Sequence, residues 1–427
     1  MTAHATAAIL SIGDEIAIGQ SLDTNSMRIA ERLTDRGIRV LEHRTVADDL
    51  AALTEAFRDL AARATVLIAT GGLGPTADDL TRRALADALG EPLVEDAGAL
   101  ARLEDIERTR GRTLTAARRT QALRPASARC LPNPNGTAPG IAAHIGACAV
   151  WCLPGPPREM HPMFEAAVLP ALDIPGARVI RTRLLRTFGL PESDLASRLG
   201  GLMNRDRNPL VGTTASGGIV TIRIRAEGES DWADRAADDA ERLARAAAEP
   251  FVFGEGDATL AAATLALLRA RGETVVVAES CTAGLLGAML GSIPGASDCF
   301  LGGWITYANA MKSRELGVPD ATLSGPPGAV SAETAGAMAR GALAAAPGAH
   351  HALAVTGIAG PSGGTPDKPV GTVCIARASA LDLDVRRFLI AGDRDDIRER
   401  SAVTALGMLW HHLAHGHTPR LLWQISP

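Results

Sequence analysis

Tyr307, the only tyrosine in the 427-residue chain, stands five residues before Lys312, one of only two lysines. The segment reads Trp304-Ile-Thr-Tyr-Ala-Asn-Ala-Met-Lys312, and the other 41 of the 43 basic residues are arginine. A guanidinium effectively never gives up its proton, whereas a lysine ammonium does so once it is desolvated. A lysine kept in an arginine-dominated chain is therefore a candidate base. The second lysine, Lys368, sits in Gly363-Gly-Thr-Pro-Asp-Lys-Pro-Val370. That loop is rich in turn formers and suits a surface or substrate-facing charge better than a rigidly held base.

A second group of polar residues lies near the N-terminus. Gly71, Gly72 and Gly74 follow an apolar run, Thr65–Thr70, and precede a helical pattern. Glycines between a buried strand and a helix free backbone amides to face a ligand, and the helix N-terminus favours phosphate. Thr76 belongs to the same turn, as phosphate partner or helix cap. Asp78 and Asp79 follow, and a second apolar run ends at Asp14 and Glu15. Hard carboxylate oxygens beside a phosphate cradle are what Mg²⁺, Mn²⁺ or Co²⁺ needs to bridge protein and diphosphate.

These residues need strands and helices to position them. Residues 7–12 and 65–70 read as strands buried on both faces, followed by helical patterns such as 25–36. That alternation predicts a doubly wound α/β sheet with its ligands at the carboxyl ends of the strands. Six arginines between Arg102 and Arg119 are expected to decorate one helix with a solvated face. From about residue 175 the pattern changes to a strand at 179–188, a hairpin over 209–226 turning at Ser216-Gly-Gly218, and a helix at 231–248. This predicts a small α+β module serving as connector or dimerisation domain. A third α/β unit opens with a helix near Asp257 and the strand 273–278. Further strands are expected at 351–356, 370–376 and 383–390, with helices at 332–345 and 395–413. The expected domains are 1–172, 173–255 and 256–418.

Composition narrows the class. Hydrophobic residues make up 46% and aromatics 3%, so the cores must be built from Ala, Val, Leu and Ile. The net charge of −5, with both signs mixed along the chain, argues against a nucleic-acid surface. Six cysteines without a Cys-x-x-Cys pair fit reduced thiols. No window approaches the ~18 apolar residues of a membrane span, and no signal peptide pattern opens the chain. A soluble cytoplasmic protein is expected.

Ser11-Ile-Gly-Asp-Glu15, Thr70-Gly-Gly-Leu-Gly-Pro-Thr-Ala-Asp-Asp-Leu-Thr81, Asn133-Pro-Asn-Gly-Thr-Ala-Pro-Gly140 and Leu153-Pro-Gly-Pro-Pro-Arg-Glu-Met160 resemble the N-terminal half of the competence/damage-inducible protein A (CinA) family. That half looks like a molybdopterin-binding fold. The resemblance implies a metal-dependent hydrolase of ADP-ribose, with Gly71, Gly72, Gly74 and Thr76 on phosphate and Asp14, Glu15, Asp78 and Asp79 on the metal. A non-catalytic nucleotide or pterin binder is the alternative. The family name also suggests a DNA-uptake or repair factor, against which the acidic balance weighs.

The resemblance continues through Ala278-Glu-Ser-Cys-Thr282, Pro294-Gly-Ala-Ser-Asp298, Thr306-Tyr-Ala-Asn-Ala-Met-Lys312, Gly328-Ala-Val-Ser331, Val355-Thr-Gly-Ile-Ala-Gly-Pro361, Lys368-Pro-Val-Gly-Thr-Val373 and Gly392-Asp-Arg394. These are similar to a nicotinamide-nucleotide amidase domain, which implies hydrolysis of the carboxamide of nicotinamide mononucleotide to the acid and ammonia. Such chemistry needs a nucleophile and a group that takes its proton and returns it to the leaving amine. Ser297 is the expected nucleophile, Lys312 its base and Tyr307 the group that fixes the serine, with no cofactor demanded. Ser280, at a strand end heading a helix, is the competing nucleophile. It is placed instead with Glu279, Thr282, Asn309, Thr356, Gly357, Ala359, Gly360 and Arg398 as substrate-binding residues. Ala283 departs from the family, which more often carries glycine there. The histidines 411, 412, 415 and 417 read as a polar helix end, and the family implies a homodimer.

Overall fold

The computed structural model describes residues 5–172 and 179–426. The expected domain boundary at 172/173 borders residues 173–178, which lie outside the described residues. The strands are β1 (Thr6–Ile12), β2 (Arg39–Val46), β3 (Val66–Thr70), β4 (Leu93–Glu95), β5 (Leu123–Pro125), β6 (Arg129–Leu131), β7 (Gly140–Ile145) and β8 (Cys148–Leu153), then β9 (Val179–Phe188), β10 (Leu210–Ser216), β11 (Ile219–Gly228) and β12 (Val252–Glu255), and finally β13 (Val275–Glu279), β14 (Phe300–Ile305), β15 (His351–Gly357), β16 (Thr372–Ser379), β17 (Leu383–Leu389) and β18 (Gln424–Ser426). The chain forms two compact units: one ends at Arg181 and includes Glu227–Asp234, and the other holds Thr182–Ala226 and everything from Arg235.

In the first unit a six-stranded sheet runs in the order β2-β1-β3-β8-β7-β6. β2, β1, β3 and β8 are parallel, while β7 and β6 pair antiparallel. Val66–Thr70 is buried throughout, as a central strand covered on both faces must be. One face packs Leu10, Leu67 and Val150 against Leu53, Phe57 and Leu60. The other packs Ile9, Ile68 and Trp151 against Ile29, Leu33 and Phe164. The doubly wound α/β class holds, with an antiparallel edge that the apolar runs alone did not announce. The arginine-rich stretch is not one helix: Ala97–Thr109 ends before Gly111, which takes φ +66°, and a separate turn covers Ala116–Arg119. Nor is its face wholly solvated, because Arg118 pairs with the buried Glu107.

The middle module is a four-stranded sheet in the order β10-β11-β9-β12, and its hairpin turns at Ser216-Gly217-Gly218 as expected. The helix Ser230–Ala248 follows. The last sheet runs β14-β13-β15-β16-β17-β18. β14, β13 and β15 are parallel and the rest antiparallel. Its two faces are covered by separate clusters, one around Leu286, Leu353 and Leu409, the other around Met338, Ala339 and Ala354. His411 belongs to this interior. It is fully buried against Phe188, Phe251 and Trp410, so the expected polar helix end holds only for its neighbours. All six cysteines are free thiols. Among the described residues no helix is long and apolar enough to cross a membrane.

Candidate functional site

In the C-terminal unit three parallel strands end side by side. Ser280 N–H donates to Val355 O at 3.0 Å, and Thr306 N–H donates to Glu279 O at 2.8 Å, so the residues following β13 and β14 are tied to each other and to β15. Lys312 lies one turn into the helix Asn309–Leu316, which starts just past β14, and its side chain reaches back under the strand ends. It is 1% exposed. Its Nζ lies 2.9 Å from Thr306 O, 3.1 Å from Tyr307 O and 3.2 Å from Ser280 Oγ. Burial lowers the lysine pKa, and among the described residues no carboxylate pairs with it to hold the proton in place. The adjacent Cys281 thiol is pushed up to about 12 by desolvation and stays neutral.

The expected partnership of Lys312 with Ser297 is not formed. Ser297 is exposed in the short turn Ala296–Asp298 that precedes β14, beside Arg269 and Asp298. Lys312 follows the opposite end of that strand. At roughly 3.3 Å per residue, the five steps from Phe300 to Ile305 put about 16 Å between the two ends. Ser280, treated in the sequence reading as a ligand donor, is the serine that faces the lysine.

Tyr307 acts differently from expectation as well. Its carbonyl accepts from Lys312, while its exposed phenol oxygen accepts from Arg394 Nη2 at 3.0 Å. Arg394 also donates to Gly360 O at 2.6 Å, joining the loop after β15 to the segment after β14. Sequence reading passed over Arg394 as a site residue, although the motif Gly392-Asp393-Arg394 contained it. Arg398 donates to Thr282 O at 3.3 Å and to Asp395 at 3.0 Å.

Glu279 is not available to a ligand. Its carboxylate accepts from Gly284 N–H (2.9 Å), Leu286 N–H (3.1 Å) and Gly287 N–H (2.8 Å), capping the helix Leu285–Gly291 from within. The positive helix end expected for Ser280 is therefore neutralised by Glu279. Thr356 donates its hydroxyl to Ala329 O and is a structural tie rather than a substrate contact. Gly357 is packed against Thr372 and Val373, and Ala359 is buried. Gly360, at φ +82°, shapes the turn that Arg394 grips. Thr282 Oγ1 is buried without a partner among the described residues, and Asn309 is exposed at the first turn of the lysine helix. Ala283 occupies φ +50°, the left-handed region that glycine takes at no steric cost. Lys368 Nζ donates to Pro327 O at 2.6 Å.

In the first unit a cavity of about 430 Å³ opens at the carboxyl ends of β1, β3 and β8, lined by Gly13, Gly71–Thr76 and Pro154–Pro156 among others. The glycine-rich turn is there but its amides are largely spent. Asp79 accepts from Gly74 N–H at 2.6 Å and from Thr76 N–H at 2.8 Å, and the Thr76 hydroxyl also points to it. Gly71 N–H donates to Leu153 O at 3.0 Å. In the expected phosphate cradle the Gly74 and Thr76 amides are thus occupied by the turn's own carboxylate and the Gly71 amide by Leu153 O, so among the described residues of the cradle only Gly72 retains the expected freedom. Beneath it Arg82, 5% exposed, donates to Leu73 O and Gly74 O and holds the turn in shape. Burial brings its pKa down to about 10, so it remains a cation facing Asp79.

The four expected metal ligands do not form a cage. Among the described residues no three His, Cys, Asp or Glu side chains are grouped to hold an ion. Asp79 is engaged in the turn, and Asp14 is exposed, its carboxylate accepting from Asp48 N–H at 3.1 Å while its own N–H donates to the Asp48 carboxylate at 3.0 Å. Glu15, Asp48 and Asp78 line the cavity. Asp48 has its pKa raised by burial and by Asp14, Asp78 and Glu15. This donor set fits only an ion that keeps most of its waters and binds through one or two carboxylates and a ligand's phosphates.

Residues 257–413 match the family described as the CinA C-terminal domain, residues 8–174 a probable molybdopterin binding domain, and residues 182–254 the damage-inducible protein CinA KH domain. A CinA-like protein of Geobacter sulfurreducens is 45% identical over 412 residues, covering 95% of this chain and 98% of that protein. A competence-damage inducible protein of Moorella thermoacetica is 41% identical over 404 residues, covering 94% and 97%. The crystal structure of a competence/damage inducible protein from Agrobacterium tumefaciens is 41% identical over 35% of this chain and 91% of its own, with a TM-score of 0.34.

Proposed function

The chain belongs to the CinA-like family of competence/damage-inducible proteins, and from that premise we propose that its C-terminal unit is an amidohydrolase acting on the carboxamide of nicotinamide mononucleotide. One observation carries the chemical part of this reading. A neutral lysine amine has two N–H groups and one lone pair. At Lys312 two backbone carbonyls, Thr306 O and Tyr307 O, lie where the N–H groups are needed, and the lone pair is left for the Ser280 hydroxyl. That is the arrangement of a nucleophile with its base.

In the proposed reaction Ser280 Oγ bonds to the carboxamide carbon as Lys312 takes the hydroxyl proton. The C–N bond then breaks as Lys312 returns that proton to the departing nitrogen, which leaves as ammonia. Water adds to the acyl-serine, with Lys312 taking its proton, and the acid is released as Ser280 regains its hydrogen. Arg394 and Arg398 are the cations available to the nucleotide phosphate. Mass spectrometry of a quenched reaction tests the assignment: an adduct on the peptide carrying Ser280 supports it, and one on the peptide carrying Ser297 refutes it.

For the first unit we propose binding of a nucleoside diphosphate such as ADP-ribose, with hydrolysis to AMP. A divalent ion would be held by Glu15, Asp48 or Asp78 and would neutralise the diphosphate. The turn occupied by Asp79 favours a second reading, a binder without turnover. Titrating Mn²⁺ or Co²⁺ with ADP-ribose and measuring AMP separates the two. The proposed partners are therefore small nucleotides, with neither membrane nor nucleic acid among them. A homodimer accompanies the proposal and is checked by light scattering.

A further inference from the structure

The cavity of the first unit contains two polar side chains that its phosphate and metal groups do not explain. Asn25 is 8% exposed and Gln121 is 1% exposed, and both line the cavity. Asn25 Oδ1 and Gln121 Oε1 are buried without a hydrogen-bond partner among the described residues. The orientation of Asn25 is set, because its Nδ2 donates to Gly155 O at 2.7 Å, leaving Oδ1 as an acceptor. An unmade hydrogen bond at a buried acceptor is destabilising. Both residues line one cavity, so the missing donors are ones that a ligand would bring, met by a small turn of the side chains towards it.

The rest of the lining points the same way. Among the described residues, the cavity's side chains include Glu15, Asp48, Asp78, Asp79 and Glu159 but no lysine or arginine. Acceptors and negative charge disfavour a bare phosphate deep in such a cavity and favour hydroxyl or amino groups. We propose that Asn25 and Gln121 are the specificity-determining residues of this pocket, accepting hydrogen bonds from the uncharged, donor-bearing part of the ligand: ribose hydroxyls or the amino group of its heterocycle. This rests on the reading of the first unit as a nucleotide site, and it assigns the buried wall to the nucleoside and the rim to the phosphates.

The test is calorimetric titration of the full chain with AMP and with ribose 5-phosphate, for the wild type, Gln121→Met and Asn25→Ala. Thermal melts verify folding, and either variant carries the test if the other does not fold. Gln121→Met is expected to melt no lower than wild type, since it removes an unsatisfied acceptor, yet to bind AMP about tenfold more weakly or worse. A loss confined to AMP assigns the heterocycle amino group, and an equal loss for both ligands assigns the ribose hydroxyls. Unchanged affinities in the folded variants beside a binding wild type overturn this inference alone. A wild type that binds neither ligand overturns it together with the nucleotide reading of the unit.

Discussion

Lys312 Nζ and Ser280 Oγ stand 3.2 Å apart, 32 residues distant in sequence, at the adjoining ends of two parallel strands. Ser280→Ala and Lys312→Arg are each expected to lower ammonia release by roughly 10³-fold or more, the scale seen when a nucleophile or its base is removed. Ser297→Ala is expected to leave turnover near wild type. The base must be neutral to act, so kcat/KM should rise with pH through a lysine pKa below the ordinary ~10.4. A rate unaffected by Lys312→Arg would sink the assignment.

Glu279 adjoins Ser280 and holds three backbone amides, and it is 1% exposed. Glu279→Gln keeps the shape but turns an amino group towards N–H donors. A loss of about 2–3 kcal/mol in stability is expected, along with weaker turnover because the serine loop shifts. Urea denaturation and the ammonia assay check the two halves separately.

Ala283 is an alanine at φ +50°. The left-handed conformation costs a side chain about 1–2 kcal/mol, and glycine's greater freedom when unfolded returns roughly half of that. Ala283→Gly should therefore stabilise the chain by about 0.5–1 kcal/mol, read as a higher Tm with unaltered catalysis.

Asp79 fills the turn that phosphate was expected to occupy. Asp79→Ala should lower stability by about 1–2 kcal/mol. The freed Gly74 and Thr76 amides, with Arg82 behind them, should gain affinity for pyrophosphate, measurable by calorimetry. No gain would mean that the turn collapses without its carboxylate.

His411 is fully buried, and desolvation brings its pKa down to about 3. Unfolded, its value is ~6.5. The unfolded chain therefore takes up the proton first as pH falls: stability is complete above about pH 6.5 and declines towards pH 3. By pH 5 this amounts to about 2 kcal/mol. His351 and His412 shift in the same direction, so the comparison must be differential. His411→Met should lose less stability than wild type between pH 7.5 and 5 in chemical denaturation.

The buried strands were legible because a strand covered on both faces must be continuously apolar along its covered length, and Val66–Ala69 and Val275–Ala278 are. The hairpin at Ser216-Gly217-Gly218 was legible from its glycines. The antiparallel edges were not, since β7 and β16 carry the same apolar character as their parallel neighbours. His411 was misread because local sequence does not reveal what packs on a helix. Here Phe188, 223 residues away, offers its carbonyl.

Sequence alone determined which residue types could act: one lysine of two that stands five residues after the only tyrosine, and two serines, Ser280 and Ser297, that both precede β14. Tertiary structure decided the partner. The expected partner Ser297 is the nearer along the chain, 15 positions instead of 32, but an intervening strand carries it away from the lysine. Parallel pairing of β13 with β14 brings their carboxyl ends together, so the lysine past β14 meets the serine past β13. In the same way composition supplied glycines and carboxylates near Gly71, and only the folded turn determined that Asp79 would take the amides for itself. Distance along a chain and distance in space part wherever a strand, rather than a turn, lies between two residues.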